Sequence, residues 1–193
     1  MPALIRTVLP VTACSVALAA FAPALAAPSA WTVDKAASRL TFKSAFAGED
    51  FEGAFRRWDA QIVFDPKQLA ASKAVVTVET GSAATGNSER DEAMPSGDWF
   101  NVAKFPRATF ATRSFKDLGG GRYQAIGDLT IRGVSKPVTL PFTLAITGDQ
   151  AKMSGSVAVN RTLFGVGQGQ FSSAETVPLN VTINISLAAR RAK

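Results

Sequence analysis

The sequence predicts an all-β fold, a single antiparallel sandwich or barrel of eight or nine short strands with one helix-and-loop insertion. Three observations predict it. Apolar side chains recur at every second position through most of the chain beyond residue 27. One hairpin, Arg122 to Ile146, shows that alternation on both arms. One polar stretch, Thr85 to Lys104, interrupts it.

In the hairpin, Tyr123, Ala125, Gly127, Leu129 and Ile131 fall on one face, and Val138, Leu140, Phe142, Leu144 and Ile146 answer them. Side chains alternate across a strand, so each arm presents an apolar face. Arg132-Gly133-Val134-Ser135-Lys136 supplies the glycine and polar residues of a turn. Pro137 and Pro141 cannot donate to a ladder, which predicts bulges or edge-facing positions there.

The remaining strands follow the same rule. Trp31-Thr32-Val33 opens the series, and Leu40, Phe42 and Phe46 share the next face. Phe51, Gly53 and Phe55 follow a Gly48-Glu49-Asp50 turn; Trp58, Ala60, Ile62 and Phe64 follow in turn, closed by Asp65-Pro66. Residues 73–80 are rich in β-branched side chains. Residues 108–115 and 153–159 alternate again, and Val177, Leu179, Val181, Ile183, Ile185 and Leu187 form the last apolar face. Within Thr85–Lys104, Ser88 is the expected cap of a short helix ended by Pro95 and Gly97. Connections of this length usually cover or contribute to a site. Trp99-Phe100 would close one end of a barrel, either plugging its core or acting as a ligand lid.

Residues 1–26 read as a secretory signal peptide: Arg6, an apolar run from Val8 to Ala22, and an A-x-A-type site at Ala24-Leu25-Ala26. A lipoprotein box at Val11–Cys14 and an uncleaved membrane anchor are the alternatives; the short run before Cys14, and Pro10 and Pro23, favour cleavage. The expectation is a periplasmic protein with one domain over 27–193. Cleavage lowers the formal charge from +6 to +5 and leaves no cysteine and no histidine. That excludes a disulfide framework, Ser-His and Cys-His nucleophiles, imidazole metal sites and C-x-x-C-H haem attachment. The modest basic excess lacks the aromatic interleaving of a nucleic-acid surface, so no nucleic-acid partner is expected. Carboxylates remain, Asp91 and Glu92 among them, but adjacent acids in a turn are the mark of solvated loop charges. Gly165-Val166-Gly167-Gln168-Gly169 lacks the strand-to-helix setting of a phosphate loop and reads as a barrel bend or bulge. The expectation is therefore no catalytic residues, no metal and no cofactor. Thirteen phenylalanines, mostly at inward positions, fit a filled core or an interior left open for one apolar ligand.

Several stretches resemble the YceI-like polyisoprenoid-binding family. Ser88-Glu89-Arg90-Asp91 with Asp98-Trp99-Phe100 and Lys104-Phe105-Pro106 is similar to its R-D…F-F-D…Y/F-P segment. Residues 127–138, GDLTIRGVSKPV, are similar to its G-x-L-T-I-R-G-V hairpin, and Arg161 with Phe164-Gly165-Val166 to its R-x-x-F-G element. The resemblance implies a lipocalin-like barrel whose tunnel holds a polyisoprenoid lipid, an isoprenoid quinone or a similar amphiphile. It implies a tunnel wall drawn from Phe42, Phe46, Phe55, Phe64 and Phe110 with Leu129, Ile131, Leu140 and Phe142. Trp99, Phe100 and Phe105 would lie near its mouth or lid, and Arg90 and Asp91 would be structural. It also admits transient contact with the inner membrane or a membrane cytochrome. Ala37-Ser38 and Ser44-Ala45 stand where many relatives carry histidine, and the Arg90–Met94 run lacks another, so no imidazole head-group contact carries over. A partner-binding barrel with a solid core, and a carboxylate enzyme using Asp91 or Glu92, are the competing expectations.

Overall fold

The computed structural model describes residues 28–192; the leader-like segment and Cys14 lie outside the described residues. Eleven strands form in chain order: β1 (Ala30–Val33), β2 (Arg39–Phe46), β3 (Glu49–Phe55), β4 (Trp58–Val63), β5 (Lys73–Glu79) and β6 (Ala83–Ala84), then β7 (Arg107–Gly119), β8 (Arg122–Ile131), β9 (Val134–Thr147), β10 (Gln150–Asn160) and β11 (Asn180–Arg191). One short helix, α1 (Ser88–Ala93), precedes β7. Eight strands, in the order β1-β4-β5-β7-β8-β9-β10-β11, close into an antiparallel barrel when β11 pairs back onto β1.

The wall is not continuous along its height. β11 pairs with β1 through Ala189–Arg191 but with β2 through Thr182–Ser186. β4 pairs with β1, whereas β3 pairs with β2 and β6. One side of the barrel is thus two tiers, β1–β4 and β2–β3–β6, meeting at the 34–38 loop and the Arg56-Arg57 turn. Ser38 stitches them: its buried hydroxyl donates to the Asp34 carbonyl at 2.6 Å and accepts from the Ala188 amide at 3.0 Å.

The central hairpin is tighter than its sequence reads. Ile131 pairs with Val134, so the turn is Arg132-Gly133 alone and Val134–Lys136 already belong to β9. Both turn residues have positive φ, 51° and 73°, the conformation that a two-residue hairpin demands. Neither proline makes a bulge: Pro137 and Pro141 stay in register with Asp128 and Gln124. Leu144 donates to Gly121 on the β8 side, so by alternation the missing proline donors face β10. There the β9–β10 ladder begins only at Phe142. The bulges lie instead between β7 and β8, at Thr112–Ser114 and Asp117–Gly119. Gly127 sits opposite the first, where a Cβ would collide with the Ala111 carbonyl.

Two further expectations are corrected. Asn87, not Ser88, caps α1, its side chain accepting from the Arg90 amide at 3.0 Å; the Asn side chain reaches the third amide while its own backbone stays extended. Val177 and Leu179 precede β11 instead of belonging to it, because the Val177 carbonyl turns to meet Arg161.

Candidate functional site

Inward-facing side chains leave a cavity along the barrel axis. It offers about 220 Å³ to the centre of a water-sized sphere. Its wall is almost wholly apolar, and the hydroxyls of Thr80 and Thr112 are already bonded, to the Phe105 and Ala74 carbonyls. Val76, Leu129, Ile131, Ile183 and Ile185 point inward yet are only half-buried, which a filled core would not allow. The barrel is hollow. Toward the Gly119–Gly121 turn an aromatic cluster narrows it: Phe64 meets Phe115, Tyr123 and Phe142 edge-on at centroid distances of 5.0, 5.6 and 6.3 Å.

Of the residues expected at the site, Phe55, Phe64, Phe100, Phe110, Leu129, Ile131, Leu140 and Phe142 line this cavity. Four do not. Phe42 is held away by its own tier, lying where a Cβ on Gly53 would be and packing on Phe55 at 5.2 Å. Phe46, at the strand end, is 39 % exposed. Trp99 turns to Phe171 at 5.0 Å, and Phe105 covers Gly133 at the hairpin turn. Trp31, Leu40, Trp58 and Phe115 line the wall although none was singled out for it. Their place in the alternating faces was the signal available.

One end of the barrel is covered by residues 94–106 and 161–179. Phe100 reaches inward from this cover and meets Phe55 at 5.9 Å. Arg132, at the hairpin tip, donates from Nη1 to the Gly97 carbonyl at 2.7 Å and to the Trp99 carbonyl, while the Gly167 and Gln168 amides donate to the Asp98 carbonyl. Arg161 is the centre of the second half. Only 4 % exposed, it donates to the carbonyls of Pro178, Val166, Gly167, Ser173 and Val177, at 2.8–3.3 Å. Gly167, expected in a bend or bulge, is glycine because Arg161 Nη1 occupies the place of its Cβ. Burial lowers the guanidinium's pKa from its usual value, and no carboxylate pairs with it among the described residues.

Asp91 is a structural acid. It accepts from the Thr85 amide at 2.7 Å, the Thr85 hydroxyl at 2.8 Å and the Gly86 amide. The two bonds from Thr85, amide first, hold its carboxyl below the usual range. The contribution is present above the unfolded carboxyl's pKa and lost as pH falls through the lower folded value. Asp91→Asn is expected to lower the protection of the Thr85 and Gly86 amides against exchange at neutral pH, read as protection factors so that the intrinsic pH dependence cancels; equal protection in both chains would contradict it. Asp91 and Glu92 line neither the cavity nor the groove described next. Among the described residues no three His, Cys, Asp or Glu gather to hold a metal, and no helix is long and apolar enough to cross a membrane.

A solvent-open groove lies where the two tiers meet, lined by Lys35, Arg39, Arg56, Arg57, Asp59, Glu79 and Arg107. Leu40, Phe55 and Trp58 belong both to it and to the cavity.

The family described as YceI-like domain matches residues 31–189. This chain belongs to the YceI-like family. A UPF0312 protein of Pseudomonas syringae pv. tomato is 33 % identical over 150 residues, covering 74 % of this chain and 78 % of that protein. The crystal structure of Burkholderia cenocepacia BcnA superposes with a TM-score of 0.78 at 32 % identity, covering 81 % of this chain and 99 % of that one. A Saccharophagus degradans domain, described as polyisoprenoid-binding and implicated in plant cell wall breakdown, shares the fold. Its TM-score is 0.67 at 15 % identity, over 85 % of this chain and 99 % of that one.

Proposed function

We propose that this YceI-like barrel is a non-enzymatic periplasmic carrier that sequesters the tail of a polyisoprenoid lipid, an isoprenoid quinone or a related amphiphile. The hollow, apolar-lined interior carries the reading. Its threonine hydroxyls at 80 and 112 are spent on carbonyls, so the interior favours hydrocarbon. Each methylene removed from water contributes about 0.8 kcal/mol, so the tail supplies the affinity. The polyisoprenoid-binding description of the Saccharophagus domain, and the leader-like residues 1–26, support the ligand class and the location. Loading and unloading would then need transient contact with the inner membrane or a membrane cytochrome. The cavity speaks against the solid-core alternative, and the structural bonding of Asp91 against a carboxylate enzyme.

The test is native mass spectrometry of protein exported by a quinone-containing bacterium, with solvent extraction of what it carries. A stoichiometric isoprenoid adduct is expected. A bare mass, together with failure to take up added geranylgeraniol, would overturn the proposal.

A further inference from the structure

The cavity accommodates a tail but offers a polar head nothing to bond. We propose that the groove at the junction of the two tiers is a second site, holding an anionic head group, a phosphate ester or a carboxylate, outside the barrel wall. The proposal rests on the barrel holding an apolar tail and narrows which amphiphile it takes.

Continuity is the first support. Leu40, Phe55 and Trp58 face both spaces, so a chain leaving the cavity there passes from apolar wall to charged rim without crossing a β-ladder. Charge is the second. The groove's two acids are already paired, Asp59 with Lys35 at 3.0 Å and Glu79 with Arg57. Lys35 is further fixed by donating to the Trp58 carbonyl at 2.6 Å. Three guanidinium groups make no salt bridge among the described residues, Arg56 feeling only the longer-range attraction of Asp91 from outside the groove. Arg39 donates only to the Ala36 and Ser38 carbonyls, and the side chains of Arg56 and Arg107 donate to no partner among the described residues. They come from β2, the β3–β4 turn and the start of β7, distant in sequence and brought together by the fold. Like charges gathered in one groove repel one another, and an oxyanion relieves that repulsion while accepting planar, paired N–H donors. A neutral head group gains neither effect. At the covered end, by contrast, Arg132 and Arg161 are both committed to main-chain carbonyls.

Three probes with one tail separate head from tail: geranylgeraniol, geranylgeranyl monophosphate and geranylgeranic acid. At low salt both anions are expected to bind at least about tenfold more tightly than the alcohol. About 0.5 M salt should erode that advantage, since the groove is open to screening ions. The double variant Arg56→Gln with Arg107→Gln should remove most of it and leave the alcohol's affinity unchanged. Neither side chain makes a hydrogen bond or salt bridge among the described residues and Arg56 is attracted only at longer range by Asp91, so the double variant should lower Tm little. Arg107→Gln alone, with no such attraction to lose, should leave Tm unchanged and gives the same comparison with one charge removed. A larger advantage for the phosphate identifies a phosphate ester, and equal advantages identify anionic heads generally. Equal affinity for anions and alcohol, or a variant that weakens the alcohol as much as the anions, overturns the groove as a head-group site. Failure of the alcohol itself to enter overturns the tail-binding reading as well, which makes the two failures distinguishable.

Discussion

Replacing Arg161 with methionine is expected to lower the melting temperature by roughly 10 °C. Its fork bonds five carbonyls and lies over the Trp99 ring, and all five carbonyls belong to the segment that covers one end of the barrel. Each such bond is worth about 1 kcal/mol net. Relief of a desolvated cation offsets part of that, since a buried guanidinium without a counter-ion is costly. A net loss of about 3 kcal/mol remains, and in a domain of this size each kcal/mol moves Tm by roughly 2–4 °C. Arg161→Lys should rescue little, because an ammonium is a point charge with three donors and cannot span the fork. Thermal unfolding followed by circular dichroism gives the answer. A loss below about 1 kcal/mol, or full rescue by lysine, would mean that the loop is held by its apolar contacts, Phe164 and Val166 against Val159, and not by the guanidinium.

Leu140→Glu is expected to abolish lipid retention at neutral pH while leaving a β-type circular dichroism spectrum. Leu140 lies midway along β9 on the cavity wall. A carboxylate there faces hydrocarbon whenever the cavity is occupied, so the lipid-bound state raises its pKa and the ionised form expels the lipid. Because that pKa is raised, retention should return partly as pH falls. Phe142→Glu, by contrast, should damage fold and retention together, since Phe142 stacks on Tyr123 at 5.5 Å and meets Phe64 and Phe115. Native mass spectrometry and far-ultraviolet circular dichroism on both variants separate these outcomes. Equal loss of fold in the two would mean that Leu140 is core, not cavity wall.

Much of the barrel was legible because period-two alternation is a direct record of which face meets hydrocarbon. The runs Tyr123–Ile131 and Val138–Ile146 read correctly residue by residue. What alternation cannot say is how far a face extends before the wall bends. Phe42 and Phe46 share the parity of Leu40, yet all of β2 belongs to the second tier outside the closed ring, and only Leu40, next to the junction of the tiers, reaches the cavity. Trp99 and Phe105 are aromatic residues of a cover, and which rings of a cover face in depends on contacts such as Phe171 and Gly133, distant in sequence. Arg161 was visible as part of a motif, but its role depends on carbonyls from residues 166 to 178 folding around it. The groove had no sequence signature beyond Arg56-Arg57, because its charges converge from separate elements.

The two prolines of β9 have a further consequence for how this chain meets other copies of itself. Before Phe142 the β9 edge that faces β10 is unpaired, and an open edge is a template on which a strand from another molecule can add. Pro137 and Pro141 remove two donors from that edge and break the row an incoming strand must match. The same residues that let the barrel wall part therefore guard it against edge-to-edge aggregation.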